Sequence, residues 1–243
     1  MFEISKQQMN IGSGDEVAES GEVHALHFVL KSTRAPAPSV VFDVGANRGD
    51  YAAQAINVLG ANTRLYIFEP SKVHYSSLQK RFPDALVCEF GFGTFEGTRT
   101  LYYDKEGSGL ASLYNRNLDW AGIRMDGQET VAVRTIDNFC LENRIAHINL
   151  LKLDVEGAEL EALRGATKMI SSDSIDFVQF EFGGCNIDSR TFFRDFFDLL
   201  SSKYVLNRIL VDGLLPITRY HEKYEIFATT NYLAVNRSLL SQL

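Results

Sequence analysis

The strongest constraint on this chain is the stretch Val40-Val41-Phe42-Asp43-Val44-Gly45-Ala46-Asn47-Arg48-Gly49-Asp50. A continuous apolar run breaks into Gly-x-Asn-x-Gly and passes at once into a helical pattern from Tyr51 to Leu59. An apolar run without alternation reads as a parallel strand buried on both faces. Glycine at 45 and 49 removes the Cβ that keeps backbone away from a ligand. The free N–H groups of the following helix point at whatever lies over the turn. The pattern predicts a doubly wound α/β sheet with a nucleotide-type site at the carboxyl end of its first strand.

The dinucleotide fingerprint Gly-x-Gly-x-x-Gly is absent, because Asn47 stands where its second glycine would be and the spacing is shorter. Asp43, just before the turn, faces a diphosphate unfavourably and a cationic group favourably. S-adenosylmethionine offers a sulfonium and an ammonium there and carries no phosphate. In such sites an acid about 20 residues further on holds the ribose hydroxyls, and Glu69 closes the next apolar strand, Leu65-Tyr66-Ile67-Phe68. That acid serves NAD and S-adenosylmethionine alike, so Asp43 and Asn47 carry the discrimination and favour the methyl donor. A structural turn and another nucleotide stay open as alternatives.

A chain of 243 residues suits one domain with a full core. The net charge of −7 argues against a nucleic-acid partner, which would call for a basic stripe. Cys88, Cys140 and Cys185 are far apart and form no Cys-x-x-Cys, which suggests reduced thiols, no structural zinc and a cytoplasmic location. Met1 to Lys6 lacks the basic head and apolar stretch of a signal peptide, and no apolar run reaches membrane-spanning length, so no membrane insertion is expected.

Two parts are expected: an N-terminal helical extension over 1–38 and a single domain over 39–243. Gly12-Ser13-Gly14 reads as a flexible point. Val23, Leu26, His27 and Leu30 have helical spacing, and Ala35-Pro36-Ala37-Pro38 stops that helix. The helix either covers the cleft as a lid or packs on the sheet. Pro70 and the N-cap candidate Ser71 lead into a helix to about Phe82. A third strand, Ala85 to Phe90, delivers Gly91-Phe92-Gly93, read either as a turn or as an apolar wall for adenine. Extra strands are expected at Thr98–Tyr103 and Val131–Ile136. The long polar segment between them, 104–129, reads as an enclosure for the cleft. It holds Trp120, read as ordinary packing in preference to a stacking platform for a sugar.

Asp137 is expected to cap a short helix to about Asn143. Ile148 to Leu153 is a second buried strand, ending in Asp154 and Glu156, with a helix over Ala158–Ile170. Strand alternation makes Asp154 and Glu156 face the same way, two carboxylates that need a cation, water or substrate hydroxyls beside them. Ile175 to Phe182 brings Glu181 to the same rim. Phe192, Phe193, Phe196, Phe197 and Leu200 form a packing stripe on a helix over Thr191–Lys203. Tyr204–Val211 and Tyr224–Val235 complete the sheet as an antiparallel pair. Asn186, Asp188, Tyr220 and Tyr224 suit a polyhydroxylated acceptor or an ordinary surface.

These stretches resemble the FkbM family of S-adenosylmethionine-dependent methyltransferases. The resemblance rests on Phe42 to Asp50 and Phe68-Glu69-Pro70, and more specifically on Val133-Arg134-Thr135-Ile136-Asp137, Leu151-Lys152-Leu153-Asp154-Val155-Glu156-Gly157-Ala158-Glu159 and Leu163-Arg164-Gly165-Ala166. Thr94 departs from the family pattern, which often has an acid there, so no adenine-amino contact is assigned to it. The resemblance implies a Rossmann-like class I methyltransferase sheet and methyl transfer to a hydroxyl on a sugar, a glycan or a secondary metabolite. The donor S-adenosyl-L-methionine would be held by Asp43, Gly45, Asn47, Gly49 and Glu69, with Asp154 at the rim. Pro70, Ser71 and Phe92 complete the expected donor set. Asp154, Glu156 and Glu181 are the candidate bases, with His24 or His27 as an outsider. A divalent metal held by the carboxylates is the less favoured route, since no ligand spacing is visible. The competing readings are a non-catalytic scaffold of the same fold and a nicotinamide dehydrogenase.

Overall fold

The apolar runs that open and recur along the chain close side by side into an eight-stranded sheet. The computed structural model describes residues 9–12, 17, 20–33 and 39–240. Strands β1 (Val40–Val44), β2 (Arg64–Phe68), β3 (Leu86–Cys88), β7 (Ile148–Leu153) and β8 (Ile175–Phe182) run parallel. Strands β9 (Tyr204–Leu210), β10 (Gly213–Ile217) and β11 (Thr230–Asn236) are antiparallel, giving the order β10-β9-β11-β8-β7-β1-β2-β3. The order reverses between β1 and β7, and a crevice opens at the carboxyl ends there, as a doubly wound sheet requires.

Both sheet faces are covered, which is why the strands read as continuous apolar runs. One face is aromatic, with Phe42, Phe92 and Phe139 each in ring contact with Phe68, and Phe180 stacked on Phe196 at 4.7 Å. The other packs Val41, Ile67, Leu150 and Phe177 against helices α1 (Glu22–Ser32) and α2 (Asp50–Leu59). The buried stripe of α1 is Glu22, Ala25, Leu26 and Val29, whereas His27 and Leu30 of the expected stripe are exposed. Helix α1 therefore packs on the sheet along its length and reaches the crevice only at its N-terminal end. Residues 13–14 and 35–38, where the flexible point and helix stop are expected, lie outside the described residues, as do residues 1–8.

Several boundaries differ from the sequence reading, each for a tertiary reason. Strand β3 ends at Cys88, and β4 (Gly91–Phe92) leaves the main sheet to pair with β6 (Gly127–Arg134). With β5 (Gly97–Tyr103) these form a second sheet of order β4-β6-β5. The helix expected over 158–170 is two pieces, Glu159–Arg164 and Thr167–Ser171. It breaks where Gly165 runs against the backbone of Gly93: a Cβ there would lie 2.2 Å from the Gly93 carbonyl oxygen. Asp137 caps the second piece, accepting from the N–H groups of Lys168 and Met169, while Thr135 caps the helix Asp137 belongs to. The aromatic-rich helix is shorter than expected (Phe193–Leu200) and buries Phe193, Phe196 and Leu200, leaving Phe192 exposed. The C-terminal pair is a trio, because β10 folds back on β9, and Glu222–Tyr224 is a 3-10 turn ahead of β11.

Candidate functional site

The turn after β1 is held from both sides. Phe68 accepts from the N–H groups of Gly45 (2.9 Å) and Ala46 (3.3 Å), and Asp154 donates its N–H to Val44 (3.1 Å). Asn47 and Gly49 take left-handed backbone, with φ of 48° and 82°. Glu69 closes the turn, accepting from the N–H groups of Asn47 (2.8 Å) and Ser71 (2.9 Å). Burial raises the pKa of Glu69 to about 7.

Above this turn lies a cavity of about 780 Å³, within the range usual for ligand pockets, about 300–1,000 Å³. Gly45, Asn47, Glu69, Pro70 and Phe92 of the expected donor set line it, and so do Asp154, Glu156 and Glu181. The 104–129 segment supplies a wall through Gly109, Leu110 and Arg116. Its Ser112 hydroxyl donates to the Glu156 carbonyl at 2.6 Å, so the wall is tied to the end of β7.

Three expected donor residues do not face the cavity. Asp43 is fully buried below it, where its neighbour is the Lys152 ammonium at 3.5 Å. The expected direct contact to a cationic ligand is corrected: the side chain at 43 points into the layer of α2, and a lysine supplies its counter-charge. Gly49 lies behind the turn against the Phe82 ring, and Ser71 is buried at the start of its helix without a side-chain cap. Asp154 shares the same lysine, 3.2 Å away, with its side chain 38% exposed. Burial opposes the charge on Lys152, yet Asp154, Asp43 and Glu22 together hold its pKa above the ordinary value.

Lys152, Tyr51 and Glu22 line the cavity although the sequence reading assigned none of them to it. A lysine between Leu151 and Leu153 in a buried strand was the available signal. Glu22 offered none. It accepts from the Ser20 hydroxyl and the Gln179 amide, both at 2.7 Å, and Gln179 in turn accepts from the Tyr51 hydroxyl at 2.8 Å. Burial raises the Glu22 pKa to about 7.

The carboxylates at the strand ends fare differently. Strand β7 ends at Leu153 and Glu156 has a φ of 53°, so the strand alternation expected for Asp154 and Glu156 does not extend that far. Glu156 is ion-paired with Arg116, and burial lifts its pKa to about 8. Glu181 is 9% exposed, and its carboxylate makes no hydrogen bond or ion pair with any described residue. Burial, then Asp154, Glu156 and Glu159, push its pKa well above the carboxylate range. One oxygen each of Glu156 and Glu181 and the Cys185 sulfur lie within 4.8 Å of one another. This donor set comes from two separate strand ends, which hid it from spacing analysis. His24 and His27 are exposed and away from the cavity. Asn186 is fully buried, bonded to the Gly183 N–H and the Thr191 hydroxyl, and Asp188, Tyr220 and Tyr224 do not line the cavity either.

Chemically, the crevice offers an uncommitted carboxylate, a buried Asn47 side-chain amide oxygen without a hydrogen-bond partner among the described residues, and more acids than bases. That set welcomes a cationic ligand bearing hydroxyl and ammonium donors and disfavours a polyphosphate.

Residues 43–204 match the methyltransferase FkbM domain family. Among curated relatives, the hexuronic acid methyltransferase AglP of Haloferax volcanii is 24% identical over 167 residues, 67% of this chain and 64% of that protein. The 2-O-methyltransferase NoeI of Sinorhizobium fredii is 23% identical over 154 residues, 58% of this chain and 63% of that protein. The chain thus spans a little under two thirds of the length of both. A solved FkbM methyltransferase from Methylobacillus flagellatus superposes with a TM-score of 0.49 at 20% identity, covering 81% of this chain and 43% of that one.

Proposed function

The chain belongs to the FkbM methyltransferase family, and from that premise we propose that it transfers a methyl group from S-adenosylmethionine to a sugar hydroxyl. Of the two named relatives, the hexuronic acid methyltransferase supports a sugar acceptor and the 2-O-methyltransferase supports transfer to a hydroxyl. The donor supplies an electrophilic methyl on a sulfonium, so alignment by the protein accounts for much of the acceleration. Glu69, anchored by two backbone N–H groups, keeps spare lone pairs for ribose hydroxyls. The unpartnered Asn47 oxygen accepts from a donor hydroxyl or ammonium, Pro70 and Phe92 give the apolar wall, and Asp154 adds negative charge at the rim. Asp43 acts through Lys152, and Gly49 and Ser71 shape the turn.

The observation that carries the reading is Glu181: a buried carboxylate with no hydrogen-bond or ion-pair partner among the described residues, lining the same cavity as the donor turn. It takes the proton from the attacking hydroxyl, a task worth about 10²–10⁴ in rate. Glu181→Gln should therefore lower kcat by roughly that factor while calorimetric affinity for S-adenosylhomocysteine holds. Near-normal turnover in that variant dismisses the base. A plot of kcat/KM against pH should show its acidic limb well above the ordinary glutamate value of about 4.3.

The Glu156–Glu181–Cys185 cluster supports a metal-assisted variant of the same reaction. Arg116 already neutralises Glu156, however, and burial keeps the Cys185 thiol protonated. Direct base catalysis is our reading, and turnover should survive exhaustive chelation. Loss on chelation, restored by one divalent ion, would transfer Glu181 from base to ligand.

A further inference from the structure

The large cavity continues beyond the reaction centre. Arg116 and Ile123 line both it and a second cavity of about 280 Å³. Trp120 lines the large cavity from the 3-10 turn Asp119–Ala121, whose Asp119 lines the second, and 85% of its surface is exposed. The expected packing role is thereby overturned. The turn itself is well anchored. Leu118 is buried and its carbonyl accepts from the N–H groups of Ala121 (2.9 Å) and Ile123 (3.2 Å), while the Asn117 N–H donates to Asp188 at 3.3 Å. The fold holds a bare indole at the mouth of its cleft and withholds it from any core.

The second cavity has the opposite character. Asn115, Asn117, Asp119, Arg124 and Asp126 line it, with the buried Met125 among them. Amides and carboxylates suit a ligand whose edge is a row of hydroxyls, each able to donate and accept. A flat indole suits the apolar C–H face of a ring. A pyranose has both surfaces. An aromatic natural product would use the indole and leave the polar cavity unmatched.

We propose that Trp120 and the second cavity form an outer acceptor subsite, so that the substrate is an oligosaccharide of at least two units. The unit to be methylated occupies the main cleft and its neighbour stacks on Trp120. This rests on the sugar acceptor proposed above.

Trp120 is the only tryptophan of the chain, so its emission reports on this site alone. The test titrates the full chain, saturated with S-adenosylhomocysteine, with hexose, hexuronic acid and deoxyhexose series running from mono- to tetrasaccharide. In at least one series the oligosaccharides should change the emission and the monosaccharide should not. Trp120→Ala should raise KM for that oligosaccharide about tenfold or more, with kcat and monosaccharide kinetics little changed, and Trp120→Phe should recover much of the loss. Methylation of an oligosaccharide with unaltered emission and an unaltered KM in Trp120→Ala overturns the subsite and leaves the sugar reading standing. Equal responses to mono- and oligosaccharide do the same. Absence of both binding and methylation across the panel removes the sugar reading and the subsite together.

Discussion

Gly45 carries two demands that no other residue type meets. Its φ is +80°, and a Cβ placed on it would lie 1.8 Å from the Asp154 carbonyl oxygen. Gly45→Ala must therefore separate the ends of β1 and β7 as well as bear left-handed strain of about 1–3 kcal/mol. Gly60 has a φ of +94° and open space around it, so Gly60→Ala carries the strain without the clash. By urea unfolding the first variant should lose about 2–4 kcal/mol and most of its affinity for S-adenosylhomocysteine. The second should lose less stability and no affinity; equal affinity in both variants rules out the close approach as the reason for glycine at 45. Residues of this kind were legible in the sequence because their role is local: Gly45, Asn47 and Glu69 all serve one turn. What Asp43 does was not legible, because the lysine that answers it stands 3.5 Å away in space and on another strand. Glu181 was legible as an acid at a strand end, but its lack of a partner is a property of the packed crevice.

At the scale of elements, strands were read more surely than helices, since burial on both faces leaves an unbroken apolar signature. Helix α1 shows the limit. Its spacing announced a helix, yet the side turned to the sheet is set by Glu22, whose carboxylate meets Gln179 from β8. A sequence reader ranks an acid as the exposed side, and here the hydrogen bonds decide otherwise. Likewise β4 deserts the main sheet and the 158–170 helix breaks at Gly165 for contacts with distant backbone that no local pattern encodes. The Glu22 network yields a prediction for the element as a whole. Glu22→Ala strips a partner from the buried Gln179 amide and from the Ser20 hydroxyl, a cost of about 1–3 kcal/mol. Because Glu22 is already occupied by those two partners, affinity for S-adenosylhomocysteine should change by less than about threefold. A loss of affinity greater than the loss of stability would make α1 part of the donor site instead of its support.

Over the whole molecule, the crevice gathers more acids than bases. Burial places the pKa values of Glu22, Glu69 and Glu159 at about 7 and that of Glu156 at about 8, and raises those of Asp43 and Glu181. Lys152 and Arg116 are the cations set among them. Each of these acids is harder to ionise folded than unfolded, so its contribution to stability is complete below its unfolded value, about 4. That contribution is lost as pH climbs through the folded value. The folded chain binds more protons than the unfolded one across that window, and Tm should fall as pH rises from about 5 to about 8. The carboxylates held below their ordinary value, Glu96 and Asp173, act at still lower pH and do not reverse this slope. A cationic donor answers the same charge. S-adenosylmethionine bears one more positive charge than S-adenosylhomocysteine, so the extra rise in Tm it gives should be larger at pH 8 than at pH 6, once the acids have ionised. Scanning calorimetry at both pH values with each ligand measures the difference directly. A gap between the two ligands that is constant with pH would mean the crowded acids do not sense the sulfonium, and the electrostatic basis for choosing this donor would go with it.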